Sequence, residues 1–181
     1  MKATGIVRRI DDLGRVVVPK EIRKTMRIRE GDPLEIYTNN DGEILLKKYS
    51  PVGELSGFAG MYAETLAQTT GNIICIADRD KIIAVSGRSG KEVLNKNVSR
   101  QLENIMDERK NVLASRGEKA FISIVDEDLD FQTQAIQTII CEGDSIGAVI
   151  ITSRDSNARF GETEKKLAQS AAIFLGKHME A

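Results

Sequence analysis

Val16, Val17 and Val18 stand side by side in LGRVVVP, between Gly14 and Pro19. Consecutive β-branched residues favour an extended strand, and successive side chains on a strand point to opposite faces. The VVV run therefore presents apolar surface on both sides. Ile6, Val7, Ile10, Leu34, Ile36, Leu45 and Leu46 pose the same problem in neighbouring segments. Ser50, Pro51, Val52 and Gly53 make a break soon afterwards, so the unit that must cover these faces is small. A unit of about fifty residues buries only about 60% of its unfolded surface and commonly needs a disulfide, a metal or a partner. Both cysteines, Cys75 and Cys141, lie beyond the break, as does the only histidine, His178. A second copy of the same chain is the remaining supplier of cover.

Local signals predict how this front unit runs. TGIVRRI is β-rich, DDLG is a turn in which Gly14 takes positive φ, and RVVVP is a second strand ended by Pro19. Proline is tolerated at the first turn of a helix, which places a short helix over PKEIRKTMRI with Ile22 and Met26 on one face. REGDPLEIYTNNDGEILLKKY then reads as two strands around an NNDG hairpin turn.

After the break the patterning changes. ELSGFAGMYAETLAQTTG has helical spacing, NIICIAD and KIIAVSG are strands about a charged turn, and a helix is expected from about residue 92 to residue 110. FISIV, QTQAIQTIICE and SIGAVIITS read as three further strands, and a closing helix starts near Glu162. The chain thus divides into a β-rich domain over 1–52 and an α+β sheet domain over 54–181. Leu55, Phe58, Tyr62, Leu66, Leu167, Leu175 and Met179 are more apolar side chains than one small sheet face requires. They either cover their own sheet or form a seam that joins this domain to that of another chain.

The net charge of −1 hides a division. Residues 1–53 hold eleven Lys/Arg against eight Asp/Glu, and residues 54–181 hold fifteen against nineteen, so the halves carry +3 and −4. Within residues 1–29 there are nine cations and three anions. Arg8 and Arg15 flank a tight turn, and Arg23 and Lys24 follow directly on the helix after RVVVP, with Lys2 and Arg9 extending the set. Cations gathered without matching anions repel one another, a cost that an incoming anion relieves. The bland alternative is a solvated basic surface paired with Asp11, Asp12 and Glu21.

The remaining chemistry is sparse. Cys75 and Cys141 sit in apolar β-branched runs rather than at metal-ligand spacing, and His178 suits the end of a helix. No catalytic set, metal site or cofactor motif is expected. No apolar stretch approaches the roughly 18 residues of a membrane span, and the N-terminus carries charges where a signal peptide is apolar, so a cytoplasmic protein is expected.

TGIVRRIDDLGRVVVPKEIRK followed by EGDPLEIYTNNDGEILLKKY resembles the AbrB family of bacterial transition-state regulators. That resemblance implies a swapped-hairpin domain, in which two chains exchange β-hairpins into a homodimer through residues 1–52 and bind double-stranded DNA. It implies DNA contact by Arg8, Arg15 and Arg23. Where this family commonly has another arginine the chain has Lys24, which keeps the charge but loses bidentate recognition. With no helix-turn-helix pattern present, phosphate contact and indirect readout of DNA shape are the expected mechanism.

The order of elements over 54–181 resembles a GAF domain, a small-molecule sensing fold, without a cyclic-nucleotide motif. An AbrB-like front joined to a GAF-like domain is similar to sporulation regulators of spore-forming Firmicutes. That similarity implies a nucleoid-associated homotetramer that activates and represses forespore genes, with a possible unidentified small-molecule effector between the sheet and ASRGEKAF or DEDLDFQT. Two other readings stay open at this point: an antitoxin-like interaction module, and a GAF-fold redox enzyme using Cys75 or Cys141.

Overall fold

The computed structural model describes residues 4–54 and 56–179, and the chain falls into two compact units, Met1–Tyr49 and Ser50–Ala181. In the first, Pro19 opens a short helix, α1 (Lys20–Thr25), and a hairpin follows from β1 (Leu34–Thr38) and β2 (Ile44–Lys48). The strands pair antiparallel with Ile36 opposite Leu46, Tyr37 opposite Leu45 and Thr38 opposite Ile44. Gly42 closes the NNDG turn at φ +80°.

One expectation for this unit is corrected. TGIVRRI and RVVVP join no ladder among the described residues. Asp11 N–H donates to Arg15 O at 3.0 Å and Gly14 N–H to Asp11 O at 3.0 Å, so the DDLG turn forms, with Gly14 at φ +76°. The flanking segments do not zip up behind it. A strand exists only where another strand accepts and donates alongside it. Among the described residues no strand of this chain pairs with these two, and side chains on them stay open: Val7 is 85% exposed and Val17 70%.

The second unit is a five-stranded antiparallel sheet in the order β4-β3-β7-β6-β5, formed by β3 (Ile73–Asp78), β4 (Ile82–Ser86), β5 (Asn111–Ser115), β6 (Thr133–Cys141) and β7 (Asp144–Ser153). Strand alternation splits its core in two. Ile74, Ile76, Val149 and Ile151 face α3 (Ser56–Thr70) and α5 (Glu162–His178). Cys75, Ala77, Ala148 and Ile150 face α4 (Arg100–Asp107) and the loops around it. Residues 50–53 are not a plain break: α2 (Pro51–Glu54) forms a helical turn whose Val52 is buried against the α3 and α5 layer.

Two elements depart from the reading of the sequence. FISIV is not a strand of the sheet, and NVLAS, as β5, takes the edge beside β6. FISIV instead lies across the α4 face. Ser99 N–H donates to Ile124 O at 3.0 Å, Ser123 N–H to the Gln101 side chain at 2.8 Å, and the buried Gln134 amide meets both backbone groups of Ile122. Side chains and α4 thus satisfy a backbone that a ladder was expected to satisfy. The expected helix over 92–110 is likewise cut to a 3-10 turn, Lys91–Val93, and α4, because residues 95–97 close the outer edge of β4: Ile82 N–H donates to Lys96 O and Asn95 N–H to Ile82 O. Ser99 then caps α4 by accepting from Leu102 N–H at 3.1 Å.

Candidate nucleic-acid interface

Arg15 is held before any ligand arrives. Asp11 Oδ1 accepts from the backbone N–H of Leu13 at 3.0 Å and of Arg15 at 2.8 Å, while Oδ2 takes the Arg15 Nε–H at 2.8 Å. One carboxylate therefore shapes the turn and holds a guanidinium by its inner nitrogen, while the Arg15 side chain stays largely exposed. Those hydrogen bonds, the one from the Arg15 backbone foremost, hold the Asp11 carboxyl below its ordinary value.

The other expected residues have different surroundings. Arg8, Arg9, Arg23 and Lys24 are exposed, and among the described residues none is in an ion pair. Arg23 and Lys24 occupy the last turn of α1, a helix with no buried residue. Pro19, just before it, is buried. Arg8 and Arg9 lie on the unpaired segment before the turn, and among the described residues no hydrogen bond or ion pair joins them to Arg15 or to α1. Lys2 lies outside the described residues. Among the described residues Asp12 and Glu21 are not ion-paired with the cations, and of the three anions Asp11 is the one that is.

One feature of the unit was missed by sequence reasoning. Lys48 Nζ donates to Arg27 O at 2.8 Å and lies 3.2 Å from Asp32 Oδ2, which also accepts from Arg29 N–H at 2.8 Å. An Asp before Pro33, at a turn, was the available signal.

In the second unit α3 and α5 carry an aromatic face. Phe58 and Phe174 approach to 5.8 Å between ring centroids, Tyr62 and Phe174 to 5.3 Å, and His178 stacks on Phe58 at 4.7 Å. Met61, Ile173 and Phe174 are exposed. Leu66 and Leu175 instead sit in this unit's own core, with Leu167 packed against it, and Leu55 lies outside the described residues.

The chain matches two family models. Residues 54–180 match the C-terminal domain of stage V sporulation protein T, a transcription factor, and residues 7–54 match MazE, an antidote-toxin recognition domain of bacterial antitoxins. Stage V sporulation protein T of Bacillus subtilis (strain 168) is 54% identical over 181 residues, covering 99% of both chains. The chain belongs to the stage V sporulation protein T family. The transition state regulatory protein AbrB of the same organism is 36% identical over 105 residues, 58% of this chain and 97% of that protein. The GAF domain of a phosphoenolpyruvate-protein phosphotransferase from Coxiella burnetii matches with a TM-score of 0.55 at 14% identity, over 68% of this chain and 80% of that one. The front of this stage V sporulation protein T relative is thus AbrB-like, and its sheet domain has the GAF fold. No helix among its described residues is long and apolar enough to cross a membrane.

Proposed function

We propose that the chain is a DNA-binding transcription regulator of sporulation genes, an activator and repressor acting on the forespore nucleoid. Residues 1–52 of two copies exchange hairpins, and Arg8, Arg9, Arg15, Arg23 and Lys24, with Lys2, face one duplex. The observation that carries this reading is the surface of the front unit. Exposed Arg8, Arg9, Arg23 and Lys24, with no carboxylate partner among the described residues, adjoin in sequence the open apolar segments TGIVRRI and RVVVP that a second copy would cover. The aromatic face of α3 and α5 in turn joins dimers into a homotetramer, and a GAF-fold domain is suited to an effector.

Catalysis is not part of the proposal. The Cys75 thiol is fully buried, and burial pushes it up to about 12, so it has no thiolate to offer a redox reaction near neutral pH. The antitoxin likeness is confined to residues 7–54, and a structured domain stands after it.

The test is a salt titration by fluorescence anisotropy on several duplexes. The slope of log affinity against log salt is expected near −0.9 for each phosphate contacted, so Arg15→Ala should flatten it by about two units per dimer. Arg15→Lys should recover much of the charge effect without bidentate geometry. Unchanged affinity and slope in Arg15→Ala would leave the cations around RVVVP as ordinary solvated surface.

A further inference from the structure

Among the described residues of the front unit, the Asp32–Lys48 ion pair differs from the Asp11–Arg15 pair at the surface. Asp32 and Lys48 have side chains only 8% and 21% exposed, whereas the Arg15 side chain, paired with Asp11, is 68% exposed. The pair also ties backbone at three places. Asp32 Oδ2 takes the Arg29 N–H, Lys48 Nζ donates to Arg27 O, and Lys48 itself is the last residue of β2, opposite Leu34.

These tie points lie where α1 ends. Ile28 N–H donates to Arg23 O at 2.8 Å and Arg27 N–H to Lys24 O at 3.3 Å, with Arg27 at φ +52°. The chain thus turns out of the helix in a left-handed closure, and Arg27 O, at the turn, is the group that Lys48 holds. The helix needs such a hold. It is six residues long, buries none of them and has no side-chain cap at its start. Isolated helices this short do not persist in water.

We propose that Asp32 and Lys48 are positioning residues for DNA recognition: they lock the end of α1 to the hairpin and so fix where Arg23 and Lys24 present their charges to the phosphate backbone. The inference rests on the DNA-binding reading and adds to it two residues that touch no DNA. It separates cleanly from simple electrostatics, because the two ideas predict opposite signs. Asp32→Asn removes an anion and makes each chain one unit more positive, which by long-range attraction alone would tighten binding to a polyanion. Loss of positioning would weaken it.

The experiment uses the full chain, with duplex affinity read by anisotropy at several salt concentrations and folding and assembly read by circular dichroism and sedimentation. Asp32→Asn is expected to stay folded and assembled yet bind about five- to tenfold more weakly, with a flatter salt slope as contacts from Arg23 and Lys24 are lost. In an Arg23→Ala, Lys24→Ala background, read at low salt, Asp32→Asn and Lys48→Gln should each change affinity little, because residues acting through the same contacts are not additive. Equal or tighter binding by folded Asp32→Asn overturns the proposal. So does an undiminished loss in the double-alanine background, which would make Lys48 a direct contact, and so does unfolding of both variants. A wild-type chain that binds no duplex at low salt defeats the regulator reading itself and this inference with it. Wild-type binding with insensitive variants defeats only the inference.

Discussion

Asp11 spends two oxygens on three hydrogen bonds, two to the backbone of its own turn and one to Arg15. A carboxylate so engaged prefers its charged form, which lowers its folded value below the ordinary 3.8. The sign of the linkage follows. A lowered value means that the turn's contribution is complete above the unfolded value and is lost as pH falls through the folded one. The turn around Arg15 should therefore be intact throughout the neutral and mildly acidic range. Titration of the Asp11 carboxyl carbon by nuclear magnetic resonance is expected to give a midpoint below 3.8, and a midpoint at or above it would contradict the observed hydrogen bonds. Arg8, Arg23 and Lys24 were legible as functional candidates because their type and spacing declare charge. Asp11 looked only like a possible counterion, since its backbone bonds depend on the turn's geometry.

Among the elements, α5 comes close to its sheet at Gly176. A Cβ built there would stand 2.1 Å from Ile140 O, a backbone atom of β6 that cannot swing aside. Two effects compete in Gly176→Ala. Alanine favours a helix interior over glycine by about 1 kcal/mol, while forcing atoms into a packed contact costs about 1–3 kcal/mol and here meets rigid backbone. The clash should win. A lowered denaturation midpoint is expected, and a raised one would mean that α5 can lift from β6 without loss. Sequence patterning located β3, β6 and β7 because each buries most of its residues, β4 because it follows β3 across a short charged turn, and α5 because its apolar residues recur at helical spacing. It misplaced the edge strand, because FISIV and NVLAS are both short, and composition favours the one that ends up crossing the α4 face.

On the scale of the whole chain, each unit leaves apolar surface open among its described residues. On the front hairpin Ile36 and its cross-strand partner Leu46 are both exposed, as are Tyr37 and Leu45. On the second unit Phe174 is exposed within its aromatic stack. If these are separate interfaces, breaking one should leave the other. Light scattering at micromolar concentration is expected to give a tetramer for the full chain and a dimer for Phe174→Asp, still able to bind DNA. A tetramer in Phe174→Asp would remove the aromatic face as the joining surface, and a monomer would show that the front unit does not hold two chains by itself.

By itself, the sequence determined what local chemistry can dictate: a glycine turn in DDLG, a proline that opens α1, the NNDG hairpin, alternating cores on a sheet and an excess of cations at the front. Tertiary structure decided what depends on residues far apart. It chose NVLAS over FISIV for the sheet edge, joined Asp32 to Lys48 beneath the end of α1, and placed Phe174 rather than Leu175 on the open face of α5. Periodicity states which residues are apolar or charged, but which of them meet is set by how elements pack, and neighbours in space leave no mark on local spacing.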